Sequence, residues 1–164
     1  MASTEAVELI QTLSSGSLFF AAAESCTAGL VADLIAQVPG ASRVFWGSFV
    51  CYSIEAKQRM LGVDRGLILK YGAVSRETAC AMAEAALIRS GADIAAAVTG
   101  LAGPDGDGSS VPVGTVWIGT ALRGGQSRAS VFHYTGSRNE VRLAAALDTL
   151  RESNRSLQKA QGIS

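Results

Sequence analysis

Apolar positions along this chain alternate between helical and strand-like spacing. Val7, Ile10 and Leu13 share one face of a helix predicted over Thr4–Leu13. Leu18–Ala23 is an unbroken apolar run of strand length, and Cys26–Gln37 returns to helical composition before Pro39-Gly40 ends it. Val44–Tyr52, rich in aromatic and β-branched residues, predicts a second strand, and Ile54–Leu61 a short helix stopped by Gly62. Ala79, Met82, Ala83, Ala86 and Leu87 line one face of a helix over Arg76–Ser90, with Ser75 as its N-cap. Asp93–Thr99 reads as a further buried strand and Gly100–Pro112 as a loop. Val113–Leu122 and Arg128–Tyr134 form an antiparallel hairpin about Arg123-Gly124-Gly125. Arg138–Glu152 is the last predicted helix, with Ser137 and Glu140 in capping-box register, and the polar residues 153–164 are expected to fray.

Strands alternating with helices and then a hairpin imply an α/β domain with a mixed, mainly parallel sheet. No linker or repeat divides the chain, so residues 1–164 are expected to form one domain. The 27 alanines and 18 glycines suit helices lying close to a sheet and loops pressed against a ligand. Fourteen basic and fourteen acidic residues cancel, which argues against a nucleic-acid partner. Residues 1–10 are acidic and no apolar run spans a bilayer, so no membrane partner is expected. Three scattered cysteines without a CxxC pair fit a reducing, cytoplasmic setting.

A single histidine, His133, excludes a His-rich metal site and narrows the catalytic designs available. Ser25 stands where a buried strand turns into a helix. It reads either as a helix cap or as a nucleophile at the sheet's C-terminal edge, with free amides and the helix dipole nearby. Cys26 competes for the nucleophile's role or is a small buried hydrophobe; Glu24 is a helix-start carboxylate or a ligand group. Lys57 is the only lysine at a strand–helix junction. It is a solvated helix residue or a general base, the latter needing a pKa roughly three units below its usual value. The Gly100–Gly108 segment lacks both GK[ST] and a helix-opening GxGxxG, and Asp105 and Asp107 lack an EF-hand ligand set. Thr135-Gly136-Ser137-Arg138, at a helix start, is a capped terminus or a phosphate cradle.

Six segments in order carry a resemblance to a known family. They are Ala-Glu-Ser-Cys-Thr at 23–27, Tyr-Ser-x-Glu-Ala-Lys at 52–57, Gly-Ala-Val-Ser-x-Glu-Thr at 72–78, Gly-Ala-Asp-Ile at 91–94, Ala-Val-Thr-Gly-Leu-Ala-Gly-Pro at 97–104 and Pro-Val-Gly-Thr-Val-Trp at 112–117. Over about residues 4–152 the chain resembles the CinA C-terminal domain family, also called the nicotinamide-nucleotide amidohydrolase (NMN deamidase) family, in stand-alone form. The resemblance implies a three-layer α/β/α sandwich that hydrolyses the carboxamide of nicotinamide mononucleotide (NMN) to nicotinate mononucleotide and ammonia, with no metal or cofactor. It implies Ser25 as nucleophile, Lys57 as general base and Tyr52 as a support for proton transfer. Glu24, Cys26, Thr27, Thr99, Gly100 and Arg138 would contact the nucleotide, Arg138 at its phosphate. The helix expected from Cys26 would supply oxyanion donors, and the family's members would be homo-oligomers. Position 54 is isoleucine where the family usually has asparagine, and position 28 is alanine where glycine is frequent. Ile54 supports an alternative, a non-catalytic nucleotide-binding or regulatory module on the same fold. A cysteine amidase built on Cys26 would need His133 or Lys57 as its partner.

Overall fold

The computed structural model describes residues 2–162. Its strands are β1 (Phe20–Glu24), β2 (Phe45–Val50), β3 (Ile94–Gly100), β4 (Thr115–Leu122) and β5 (Arg128–His133), in the sheet order β2-β1-β3-β4-β5. The helices are α1 (Thr4–Gly16), α2 (Leu30–Ala36), α3 (Ile54–Ala56), α4 (Arg65–Tyr71), α5 (Arg76–Ser90) and α6 (Arg138–Ala160). β1 runs parallel to β2 and β3, whereas β4 is antiparallel to β3 and β5. The sheet is therefore evenly mixed and not mainly parallel, as the element order had suggested. A parallel return needs a crossover unit, usually helical. Residues 101–114 hold no helix, so the chain doubles back along β3.

α1, α2 and α6 cover one face, where Leu9, Leu13, Phe20, Ile35, Leu150 and Leu157 are buried together. α4 and α5 lie on the other, where Ile68, Met82, Ala83, Ala86, Ala95 and Ala97 are buried together. The central strands β1 (FAAAE) and β3 (IAAAVTG) are covered on both faces, which explains their lack of polar alternation. Their alanines divide between the two cores: Ala22 and Ala96 face one, Ala21, Ala23, Ala95 and Ala97 the other. Small residues let α5 lie close to the sheet. At Gly119 even a Cβ would come within 2.4 Å of the Ala79 carbonyl oxygen.

Two boundaries and one helix depart most from expectation. α6 continues to Ala160 through the segment predicted to fray, because Ser153, Asn154 and Leu157 keep one face of it buried. Residues 163–164 of that tail lie outside the described residues. α2 begins at Leu30, not Cys26, because Ala28 (φ 50°) and Gly29 (φ 95°) are left-handed and break helical continuity. α4 was not anticipated: only Ile68 of its seven residues is buried, too little for a periodic signal, and Asp64 caps it by accepting from the Leu67 amide. Among the described residues no helix is long and apolar enough to cross a membrane.

Candidate active site

The parallel strands β1, β2 and β3 all end at one edge of the sheet, the edge where open α/β sheets bind ligands. Backbone bonds extend the pairing past the strands: the Ser25 amide donates to the Val98 carbonyl (2.9 Å) and the Cys51 amide to the Glu24 carbonyl (2.8 Å). Ser53 caps α3 by accepting from the Ala56 amide, and α3 passes directly into a π-helical turn over Lys57–Leu61. Such wide turns are frequent at functional sites. Here the turn begins with Lys57, only 2% exposed, whose Nζ donates to Ser25 Oγ at 2.8 Å and to the Cys51 carbonyl at 3.3 Å. Burial lowers the Lys57 pKa by penalising its charged form, and the neighbouring Cys51 and Cys26 thiols oppose that shift only in part.

A cavity of about 250 Å³ opens above this pair, lined among others by Ser25, Cys26, Tyr52, Lys57, Thr99 and Gly100. Arg138 closes one side, donating to the Gly103 carbonyl (2.6 Å) and to Tyr52 Oη (2.5 Å). The Tyr52 hydroxyl thus meets Arg138, while its backbone carbonyl faces Ser25 Oγ at 3.5 Å. Thr99 Oγ1 donates to the Ala73 carbonyl (2.8 Å), tying β3 to the segment before α5. Ile54, Asp105 and Asp107 also reach the lining. A second cavity of about 260 Å³, between the β4–β5 hairpin and the end of α6, contains none of the residues singled out from the sequence.

Glu24 and Thr27 stand apart from the cavity. The fully buried Glu24 carboxylate accepts from Thr27 Oγ1, Ser48 Oγ and the amides of Gly29, Val31 and Ala32, all within 3.0 Å. It neutralises the start of α2, so the helix terminus expected to serve a ligand is already occupied by the protein's own carboxylate. Glu24→Gln replaces one acceptor oxygen with a donor facing other donors. Its expected cost is about 3 kcal/mol or more in urea unfolding, since a buried charge-assisted network is broken.

Cys26 does line the cavity, but burial pushes its thiol up to about 11, which leaves it protonated at neutral pH. His133, its alternative partner, lies at the far edge strand and bonds Thr115 Oγ1 (3.3 Å). Lys57, the other partner that alternative allows, bonds Ser25 Oγ and the Cys51 carbonyl and not the Cys26 thiol, so the geometry favours the serine. One residue near the site went unnoticed in the sequence. Arg142, one turn beyond Arg138 on α6, donates to the carbonyls of Cys26 (3.2 Å) and Thr27 (2.9 Å). The i,i+4 arginine pair was the available signal, because both must share a helix face.

Fold and site together define a three-layer α/β/α domain with a buried serine–lysine pair in a cavity at the C-terminal edge of its parallel strands. The chain belongs to the CinA C-terminal domain family, whose model matches residues 2–157. It is 41% identical over 149 residues to a nicotinamide-nucleotide amidohydrolase PncC of Enterobacter agglomerans, covering 91% of each chain. It is 49% identical over 139 residues to a CinA-like protein of Akkermansia muciniphila, covering 80% of this chain and 34% of that one. Several of its CinA-like relatives are thus about three times as long as the shared region. The crystal structure of the competence/damage inducible protein CihA from Agrobacterium tumefaciens superposes with a TM-score of 0.88 at 38% identity, over 96% of this chain and 98% of that one.

Proposed function

We propose that this protein hydrolyses the carboxamide of NMN to nicotinate mononucleotide and ammonia through an acyl-enzyme on Ser25. The observation that carries the proposal is the 2.8 Å contact between Ser25 Oγ and a buried Lys57 whose pKa is lowered. Similarity to the PncC amidohydrolase along nearly all of both chains supports the choice of substrate.

Neutral Lys57 accepts the Ser25 proton as Oγ attacks the carboxamide carbon, and the tetrahedral intermediate places a negative charge on the former carbonyl oxygen. The Cys26 amide donates to no group among the described residues, and Cys26 lines the cavity beside Ser25, so this amide is the oxyanion donor of this reading. Lysine returns the proton to the departing nitrogen, ammonia leaves and the ester remains. Water, deprotonated by the same lysine, then attacks the ester, releases the carboxylate and restores Ser25.

Purified protein incubated with NMN should release ammonia and nicotinate mononucleotide in equal amounts. No ammonia with intact NMN recovered would refute the proposal and leave a nucleotide-binding module. Arg138 is the phosphate-binding group of this reading: Arg138→Met is expected to raise KM for NMN about tenfold to hundredfold with kcat little changed. Equal KM values for variant and wild type would remove the arginine from that role.

The implied homo-oligomer finds its best support at β2. This edge strand, FWGSFV, has no charged residue, exposes Trp46 and Val50, and stacks Trp46 on Phe49 at 5.2 Å. Uncharged edges of this kind pair readily with another chain. Sedimentation velocity at micromolar concentration should give a dimer or larger species that Trp46→Lys dissociates; a wild-type monomer would exclude it.

A further inference from the structure

We infer that Arg142 is a positioning residue for the amide hydrolysis proposed above, holding the Cys26 backbone donor beside Ser25 in register from behind the turn. The inference rests on that functional reading. The guanidinium donates through Nε to the Cys26 carbonyl (3.2 Å) and through Nη2 to the Thr27 carbonyl (2.9 Å), while Nη1 is steadied by Asn139 Oδ1 (3.2 Å). A trans peptide is planar, with its N–H directed opposite its C=O. Anchoring the Cys26 carbonyl therefore fixes the plane of the Cys26–Thr27 peptide.

The second contact acts one step further. Anchoring the Thr27 carbonyl fixes the Ala28 N–H, which donates to the Ser25 carbonyl (3.1 Å) and so sets the Ser25–Cys26 peptide plane. That plane carries the Cys26 N–H. One side chain thus orients three successive peptides and, with them, the open Cys26 amide. The turn has particular need of such a holder in this chain: Ala28 sits at φ 50°, a left-handed conformation that residues with a Cβ adopt reluctantly. A lysine at 142 would offer a single ammonium where the guanidinium fork spans two carbonyls.

Arg142→Met and Arg142→Lys test the inference, with circular dichroism and thermal unfolding confirming folded protein. For Arg142→Met, kcat for ammonia release from NMN should fall about 10- to 100-fold while KM stays within about threefold. The midpoint of the kcat–pH profile should not move, because Lys57 is untouched, and Arg142→Lys should recover only a minor part of the loss. The rate at which a fluorophosphonate probe labels Ser25 should fall in parallel, since that reaction also places charge on an oxygen facing the Cys26 amide. An unchanged kcat, a rise in KM alone, or a displaced pH midpoint would overturn the assignment. Wild-type protein that labels readily but releases no ammonia would refute NMN as substrate, and the relative labelling rates would still decide the role of Arg142. Equal labelling of wild type and Arg142→Met, or failure of wild type to label, would overturn it.

Discussion

Ser25→Ala should abolish ammonia release from NMN, lowering kcat/KM by about 10³-fold or more, while leaving the thermal unfolding midpoint close to that of wild type. The two expectations belong together. A serine serving as a helix cap would carry stability, and its loss would cost about 1 kcal/mol. Ser25 does not cap α2: the helix starts five residues later, its first amides bond Glu24, and Ser25 Oγ receives Lys57 instead. Its hydroxyl is thus available for chemistry at little structural cost. A continuous ammonia assay beside a thermal melt gives both readouts. Activity within tenfold of wild type in a folded Ser25→Ala protein would remove Ser25 as nucleophile. A large drop in melting temperature would return it to a structural role.

Lys57→Met should lose activity to a similar degree and yet melt higher than wild type at neutral pH. Burial holds the Lys57 pKa below that of an unfolded lysine, about 10.4. Between the folded and the unfolded pKa the unfolded chain binds more protons, so stability rises with pH across that window. Below the folded pKa the penalty is fully present; above the unfolded value it is gone. Methionine is apolar and similar in length, so it removes the penalty, offset partly by leaving the Cys51 carbonyl and Ser25 without their donor. The net gain expected near neutral pH is about 1 kcal/mol, shrinking as the pH approaches that of the unfolded group. Wild-type kcat should rise with pH as Lys57 loses its proton, then level off once the amine is neutral. A kcat that falls over the same range would contradict a lysine base, and a Lys57→Met protein less stable than wild type throughout would contradict the burial penalty.

Much of the element order was legible because its signals are local. The α5 periodicity, the hairpin about Arg123-Gly124-Gly125 and the capping box at Ser137 and Glu140 each lie within a few residues, and the structure reproduces all three. Boundaries failed where a distant surface decided them. The end of α6 is polar by composition, but Leu157 packs into the core shared with α1, so the helix runs on. The start of α2 looked helical from Cys26 onward. Satisfying the Glu24 carboxylate with three amides from Gly29 to Ala32 required a left-handed turn first.

For the site, the sequence by itself determined the chemical inventory: one histidine, three lysines, a serine in Ala-Glu-Ser-Cys-Thr and a lysine in Tyr-Ser-x-Glu-Ala-Lys, in the order of one family. Residue types and spacing are enough for that, because they limit which groups can act as nucleophile or base. Only the tertiary structure decided how those groups meet. The parallel pairing of β1 with β2 and the π turn after α3 bring Lys57 to Ser25 across 32 residues and bury the amine. The same packing gives Glu24 wholly to the scaffold and brings Arg142 behind a turn more than a hundred residues earlier in the chain. Those outcomes depend on strand register and on which amides lack a partner, quantities set by contacts between segments that carry no local signal.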